Sequence, residues 1–228
     1  MLYTEENVRD NLRNRGGKRV FFLGKGDQLT SGARDFLARE RIEILPGREA
    51  KKERWALLTG GSVEEKPEHM THLNGDVLVR KDHPRILFRG KLDTFQAQLL
   101  LAQQGCPAQA GKIQEILDFS RELMACDVLD RPVPEKNLWG YGEAEIRHRS
   151  HFPQEHCGVA HFMPQVSDGP EILQLNLARC AAREAELLAV TAFSDREGNP
   201  TRPDILKALN RMSSMLYILM IERKAGKL

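Results

Sequence analysis

Apolar residues recur at helical spacing through most of the second half of the chain. Leu, Ile and Phe return every three or four positions, as in helices with one buried face. Three of the segments are apolar around most of their circumference and carry one polar stripe each. We predict a mainly α fold built on long helices. The predicted helices span residues 83–104, 108–124, 142–149, 170–193 and 203–224.

The beginning of the chain has shorter elements and fewer apolar residues. Thr4 is predicted to open a short helix, and Thr30 is predicted to cap a second helix at residues 31–40. Strands are predicted at residues 19–23 and 42–45. This small α/β unit holds few apolar residues, so we expect it to pack on something larger or on a partner.

The chain thus divides into three predicted segments. Residues 1–46 form the small N-terminal α/β accessory unit, for which we expect no chemistry. Residues 47–82 are charged and rich in glycine, which predicts a linker that becomes an ordered loop at its end. Residues 83–228 form the helical domain, and the candidate chemistry lies mainly there.

The polar residues of the helix at 170–193 fall into one narrow stripe. Asn176, Arg179, Arg183 and Glu186 stand at i, i+3, i+7 and i+10, while most other positions are Ala, Leu or Ile. An arginine is rarely buried without a partner, because removing it from water costs several kcal/mol. The stripe is therefore either a solvated outer face of a bundle or the wall of a pocket for an anion.

Two other helices carry similar stripes. The members are Arg85, Arg89, Asp93 and Gln96 on one helix, and Asn210, Ser213, Ser214 and Tyr217 on the other. In the simpler interpretation these residues are solvated or form ion pairs within a bundle, such as Asp93 with Arg179. In the alternative interpretation the stripes bind a ligand.

The ligand that fits the second interpretation is a polyphosphate. Arg183 and Lys81 would hold it, since arginine and lysine together are the usual phosphate-binding side chains. Glu186 would orient an arginine or a hydroxyl, and Asn210 would donate a hydrogen bond to phosphate or ribose. Residues 70–76 form a loop that could offer backbone N–H groups, although an ordinary surface loop explains this segment equally well.

Charge and composition argue against several classes of function. The net charge is +2, from 34 basic and 32 acidic residues, so the basic character of a nucleic-acid-binding protein is missing. No apolar run approaches membrane-spanning length, and residues 1–10 lack the apolar segment of a signal peptide. The four cysteines form no CxxC pair, which predicts reduced thiols and a cytoplasmic protein. Residues 24–27, GKGD, lack the spacing of a phosphate-binding loop.

Potential metal ligands are concentrated between the predicted helices at residues 108–124 and 170–193. These ligands are His148, His151, His156, Cys157 and His161. Their spacing matches no standard zinc site. We therefore predict surface and core histidines here and no bound metal.

Five segments resemble those of one enzyme family, in the family's order and spacing. They read MTHLNGD, LVRKDHPRILFRGKLD, HFMPQVSDG, LARCAAREAE and RPDILKALNRMSSMLYILMI. They resemble the ATP:corrinoid adenosyltransferases, most of all the ethanolamine-utilisation (EutT) type and more distantly the propanediol-utilisation (PduO) type. The similar region, residues 70–223, covers about two-thirds of the chain. The combination of R-x3-R-x2-E with NRxS on successive helices is specific, and LTSGARDFLARERIEI resembles the extra N-terminal region of the first type.

The resemblance implies a five-helix bundle that assembles as a trimer or dimer, with active sites between subunits. The implied reaction transfers the 5′-deoxyadenosyl group of ATP, bound with Mg²⁺, to the cobalt of cob(I)alamin and releases triphosphate. A cobalamin reductase, a cobalamin-dependent lyase and a bacterial microcompartment are the implied associations, with neither nucleic acid nor membrane as a partner. The alternatives left open are a non-catalytic scaffold or interaction protein of a microcompartment operon and a nucleotide-dependent enzyme with another acceptor.

The resemblance also implies roles for individual residues. Arg183 and Glu186 would serve the polyphosphate, and Asn210 would contact the nucleotide. Asp93 and Arg179 would form an ion pair between subunits, next to the corrinoid.

Further implied roles lie outside these helices. Thr71, His72 and Lys81 would belong to the loop that folds over ATP. Phe162 lies near the position of the aromatic residue that displaces the lower cobalt ligand in the propanediol-utilisation type, although the local spacing differs by one residue.

Two departures from the family pattern change these expectations. Ser214 stands where the propanediol-utilisation pattern has an aspartate after NRLS, so an ion pair made by that aspartate is absent. Some ethanolamine-utilisation enzymes carry a His- and Cys-rich metal motif upstream of the THL segment. Residues 51–68 contain neither His nor Cys, so no structural iron or zinc is expected there.

Overall fold

The computed structural model describes residues 1–15, 18–47 and 55–226. Helices dominate it, which confirms the mainly α prediction. The helices are α1 (Glu5–Asp10), α2 (Ser31–Arg39), α3 (Pro84–Gly105), α4 (Ala110–Val128), α5 (Glu143–His151), α6 (Pro153–Cys157), α7 (Pro170–Ala192) and α8 (Pro203–Lys224). The strands are β1 (Leu2–Tyr3), β2 (Arg13–Arg15), β3 (Lys18–Leu23), β4 (Gln28–Leu29), β5 (Glu43–Pro46), β6 (Trp55–Leu57), β7 (Ser62–Val63), β8 (Met70–Asn74) and β9 (Val77–Arg80).

The described residues form two compact units. The first comprises residues 1–56 and 60–66, and the second comprises residues 57–59 and 67–228. The three-segment division drawn from the sequence stays a prediction, and residues 48–54 of its linker lie outside the described part of the chain.

The first unit has a small core of its own. Strand β3 pairs in parallel with β5 and antiparallel with β2, and β1 pairs in parallel with β4. Thr4 and Thr30 cap α1 and α2 by accepting hydrogen bonds from backbone N–H groups. The buried residues between these elements are Val8, Phe21, Leu29, Ala33, Phe36, Leu37 and Ile42. The expected helix and strand order is therefore present, and β6 and β7 add an antiparallel hairpin to this part of the chain.

The segment predicted as an ordered loop is a β-hairpin. Strands β8 and β9 pair antiparallel, from Met70 opposite Arg80 to Asn74 opposite Val77. Gly75 turns the chain between them with a φ of 48°, a conformation that glycine adopts without strain. Over such short strands as MTHLN and VLVR, the alternation of apolar and polar residues is too weak to distinguish a strand from a loop by sequence.

The second unit is built around α7, which packs against both α3 and α8. Its buried face is rich in alanine, and the short side chains let neighbouring helices approach closely. Gly105, at the end of α3, lies so close to α7 that a Cβ atom there would overlap the Gln174 side chain. Helix α4 packs on α3 and α8, and the short α5 packs on α8. The buried α7 residues are Ile172, Leu175, Ala178, Ala181, Ala182, Ala185 and Ala189.

A buried charge cluster joins α3 to the end of α4. The Asp127 side chain is 0% exposed and accepts hydrogen bonds from Arg85 Nε at 2.9 Å and Arg89 Nε at 2.5 Å. Arg85 also donates to Asp130 Oδ1 at 2.7 Å, and Arg89 Nη1 reaches the His72 carbonyl oxygen at 3.4 Å. Two members of the predicted stripe on α3, Arg85 and Arg89, therefore point inward and form structural ion pairs.

Among the described residues, none of the helices combines the length and the apolar character needed to cross a membrane.

Replacing Asp127 tests the contribution of this cluster to stability. Asp127→Asn leaves Arg89 buried without its carboxylate, so we expect the free energy of unfolding to fall by about 3 kcal/mol. Urea denaturation followed by circular dichroism measures the change. Asp118→Asn, on the same helix but 54% exposed, should change it by less than about 0.5 kcal/mol. Equal effects of the two substitutions would contradict a structural role for the cluster.

Candidate functional site

A pocket of about 580 Å³ opens beside α7 and α8. Its third wall is the chain from the end of α5 to the segment that follows α6, including His151, His161 and Phe162. From α7 it receives Asn176, Arg179, Cys180 and Arg183, and from α8 it receives Asn210, Ser213, Ser214, Tyr217 and Met220. The stripe on α7 and the stripe on α8 therefore face the same space.

Arg183 supplies this pocket with an uncompensated positive charge. Its side chain is exposed, and it forms no hydrogen bond or ion pair with any residue in the described ranges. Arg179 is half-buried one turn earlier and also lines the pocket. Two guanidinium groups with no carboxylate against them make this wall attractive to an anion with several oxygens.

A hydrogen-bonded pair connects α7 to α8 beside these arginines. Asn210 Nδ2 donates to Glu186 Oε1 at 3.2 Å, and Arg211 Nη2 donates to Asn210 Oδ1 at 3.0 Å. The amide of Asn210 is held from both ends, so its orientation is fixed before a ligand arrives. The sequence placed Glu186 and Asn210 in one site, and the structure brings these two side chains together.

Aromatic side chains also line the pocket. The rings of His161 and Tyr217 are stacked with centroids 5.7 Å apart and an interplanar angle of 6°. His161 Nδ1 lies 2.9 Å from the Tyr217 hydroxyl, and Phe162 stacks on Tyr217 at 6.3 Å. The Arg179 guanidinium lies 5.3 Å from the Tyr217 ring centroid, a cation–π distance.

His161 and Cys180 line the pocket but were not assigned to the site from the sequence, and Asn176 and Tyr217 were placed on polar stripes without a role of their own. Tyr217 was visible on the stripe of α8, so its helical position was a usable signal. His161 lies in irregular chain, where sequence spacing carries no information about its neighbours.

Five predicted site residues do not line the pocket. One is Glu186 on α7, which contacts the lining residue Asn210. Thr71 and His72 lie on β8, Lys81 follows β9, and Asp93 is exposed on α3. Among the described residues, Asp93 and Lys81 form neither an ion pair nor a hydrogen bond through their side chains. The predicted ion pair between Asp93 and Arg179 is therefore not made within one chain.

The His and Cys residues predicted to be ordinary surface and core residues separate into groups. His151 and His161 belong to the pocket, and His161 Nε2 lies 3.1 Å from the His151 carbonyl oxygen. His148 Nδ1 and His156 Nε2 lie together, 2.8 Å apart. Cys157 is half-buried.

The sequence profile of one protein family, described as cobalamin adenosyltransferase, matches residues 62–223. The chain belongs to this family. All of the pocket residues lie within the matched range.

Two curated relatives indicate which type within the family the chain is similar to. The chain is 37% identical over 164 residues to the corrinoid adenosyltransferase EutT of Salmonella typhimurium, which covers 70% of this chain and 60% of the relative. It is 35% identical, with the same coverage, to the corrinoid adenosyltransferase EutT of Escherichia coli K12. The matched part therefore spans about 60% of the length of these curated relatives.

The cysteines of this family member provide a test of the pocket's accessibility. Cys180 is exposed on the pocket wall, whereas Cys106 is buried. Burial raises the pKa of the Cys106 thiol to about 11, with the Glu171 carboxylate adding to the effect. We expect iodoacetamide at pH 8 to modify Cys180 and to leave Cys106 unmodified, because the thiolate is the reactive form.

Mass spectrometry of digested protein measures this labelling, and Cys180→Ser is the control that should remove the reactive site. Labelling of Cys106 at a rate equal to that of Cys180 in folded protein would contradict the described burial.

Proposed function

We propose that this protein transfers the 5′-deoxyadenosyl group of ATP to the cobalt of a reduced corrinoid, as an adenosyltransferase of the ethanolamine-utilisation type. The observation that carries the proposal is Arg183, which has no partner among the described residues, in a pocket whose lining also includes the aromatic rings of Phe162 and Tyr217. Such a pocket suits a substrate pair with a polyanion on one side and a large flat ring system on the other. The family match and the names of the relatives support a corrinoid as the acceptor and an adenosyl group as the transferred unit.

At the charged end the triphosphate of ATP would lie against Arg183. The Glu186 carboxylate holds the Asn210 amide at 3.2 Å, which leaves the second N–H of that amide to donate to the nucleotide. Glu186 would thus act by positioning Asn210 and by balancing the charge of the arginines. Mg²⁺ would accompany ATP as its usual counterion.

The transfer step needs no nucleophile from the protein. The electron pair of Co(I) attacks C5′, the cobalt–carbon bond forms, and the C5′–oxygen bond breaks. Its electron pair leaves with the triphosphate, whose charge Arg183 and Mg²⁺ stabilise. The protein contributes alignment of C5′ with cobalt and exclusion of water.

At the aromatic end the corrinoid would meet Phe162 and Tyr217. Co(I) forms more readily when the axial ligands of Co(II) are removed, and an apolar side chain against the lower face would prevent a ligand from returning. Phe162 is the residue we assign to this role. Tyr217, fixed by His161 on one side and Arg179 on the other, forms the platform on which Phe162 packs.

The site is proposed to be completed by another copy of the chain. Helices α3, α4, α5, α7 and α8 would form the five-helix bundle of the family, and the outer faces of α3 and α7 would meet a neighbouring subunit in a trimer or dimer. Both helices expose several large apolar side chains that a neighbouring subunit could cover. They are Leu87, Leu100 and Leu101 on α3, and Leu177, Leu187 and Val190 on α7.

Residues that do not reach the pocket within one chain acquire roles in such an assembly. Asp93 of one subunit would pair with Arg179 of the next, beside the corrinoid. Thr71, His72 and Lys81 would close over ATP bound to the neighbouring subunit. A cobalamin reductase would supply Co(I), a cobalamin-dependent lyase would use the product, and the setting would be the cytoplasm close to a microcompartment.

Arg183→Ala is the direct test of the polyphosphate site. We expect adenosylcobalamin formation from ATP and cob(I)alamin to fall at least about 100-fold, because the leaving group loses its main cation. The absorbance change of the corrinoid measures the rate, with and without Mg²⁺. Arg121→Ala is the control, since Arg121 is 53% exposed on α4 and, among the described residues, pairs with Asp118 alone.

The outcomes separate the alternatives. Full activity in a folded Arg183→Ala variant would refute the role of Arg183. Absence of activity and of an ATP-dependent thermal shift in the unmodified protein would instead favour a non-catalytic scaffold. An ATP-dependent shift without corrinoid alkylation would favour another acceptor.

Charge reversal tests the ion pair between subunits. Asp93→Arg should raise the dissociation constant of the oligomer at least tenfold, because two arginines then face each other. Combining Asp93→Arg with Arg179→Asp should restore assembly without restoring full activity, since Arg179 also lines the pocket. Light scattering over a concentration series measures assembly, and Asp118→Arg serves as a control. Unchanged assembly in Asp93→Arg would exclude the pair.

A further inference from the structure

Three potential metal ligands meet where α5 turns into α6, outside the pocket lining. The ligand atoms of His148, Glu155 and His156 all lie within 4.8 Å of one another. His148 Nδ1 is 2.8 Å from His156 Nε2, and His148 Nε2 is 3.9 Å from Glu155 Oε2. Two imidazoles and one carboxylate form a ligand set that suits zinc and similar divalent metals.

The distance between the two histidine nitrogens is close to that of a formed site. With Zn–N bonds of about 2.0–2.1 Å, two ligand nitrogens of a tetrahedral site lie about 3.3 Å apart. The His148 and His156 nitrogens are within about half an ångström of that separation. Rotation of the exposed Glu155 side chain, which is 62% accessible, would bring its carboxylate to the third position and leave the fourth for water.

The backbone holds these residues in place. Helix α5 ends at His151, and Pro153 starts α6 immediately after Phe152. This break lets His156 approach His148 across eight positions of the sequence. The Phe152 ring packs against the His148 ring with centroids 4.8 Å apart, which limits the freedom of one ligand before a metal binds.

We propose that His148, Glu155 and His156 bind a divalent transition-metal ion, with Zn²⁺ the best match, that clamps α5 to α6. The inference is independent of the proposed function, since it rests on these three residues alone. It also reverses the expectation from sequence spacing that these histidines bind no metal.

The clamp would act on the wall of the candidate pocket. Ser150 and His151 follow His148 on α5 and line the pocket. The His151 carbonyl oxygen lies 3.1 Å from His161 Nε2, and His161 stacks on Tyr217. A metal at the α5–α6 turn would therefore stabilise the segment that carries the aromatic end of the pocket.

The test is metal binding by the full chain after removal of metal with a chelator. Calorimetric titration with Zn²⁺ should show one ion per chain, and Co²⁺ should give the visible absorption bands of a tetrahedral site. His148→Ala, His156→Ala and Glu155→Gln should each weaken binding at least about tenfold. His69→Ala is the matched control, since His69 is exposed and lies outside the cluster.

Thermal unfolding gives a second measurement. Zn²⁺ should raise the Tm of the unmodified protein and of His69→Ala, because ligand binding to the folded state stabilises it. It should leave the Tm of His156→Ala unchanged, and circular dichroism should show that this variant is folded. Mg²⁺ should not replace Zn²⁺, because it prefers oxygen ligands.

Two results would overturn the proposal. One is no saturable Zn²⁺ binding by folded protein. The other is binding that survives substitution of all three residues, which would assign the ion to other side chains. Neither result would affect the adenosylation assay, so failure here is distinguishable from failure of the proposed function.

Discussion

The close packing of α7 between α3 and α8 is the constraint on which the rest of the second unit depends. Alanines on the buried face of α7 allow both neighbours to approach, and Gly105 permits the tightest contact, against Gln174. A helix held on two sides has only a narrow strip of surface left for polar groups. The polar stripe of α7 lies on that strip, and the packing places it opposite the stripe of α8.

The arginines of this unit occupy two kinds of environment. Arg85 and Arg89 are largely buried, and both bind the fully buried Asp127. Arg183 is exposed in the pocket and has no partner among the described residues. The presence or absence of a carboxylate partner separates structural arginines from a candidate binding residue, which their similar spacing along each helix does not.

In a single chain, several residues assigned to the proposed reaction lie outside the pocket. The pocket lining includes Arg179, Arg183, Asn210 and the aromatic cluster, and Glu186 contacts Asn210 from outside that lining. Thr71, Lys81 and Asp93 lie elsewhere on the same unit. Assembly of several copies would supply what each pocket lacks, and the exposed leucines of α3 and α7 give such an assembly an apolar contact surface. The α5–α6 turn, with its histidine pair, is separate from this assembly surface and bears on the pocket through His151.

The sequence by itself determined the helices, their approximate ends and the polar stripes, because helical periodicity and capping are local properties. It also connected Arg183, Glu186 and Asn210, since the motif pair on successive helices is specific to the family. Only the tertiary structure showed that Arg85 and Arg89 form ion pairs with Asp127, and that residues 70–80 form a hairpin. It alone brought His161 to Tyr217 and His148 to His156, because these contacts depend on how irregular chain folds back, and no periodicity records that.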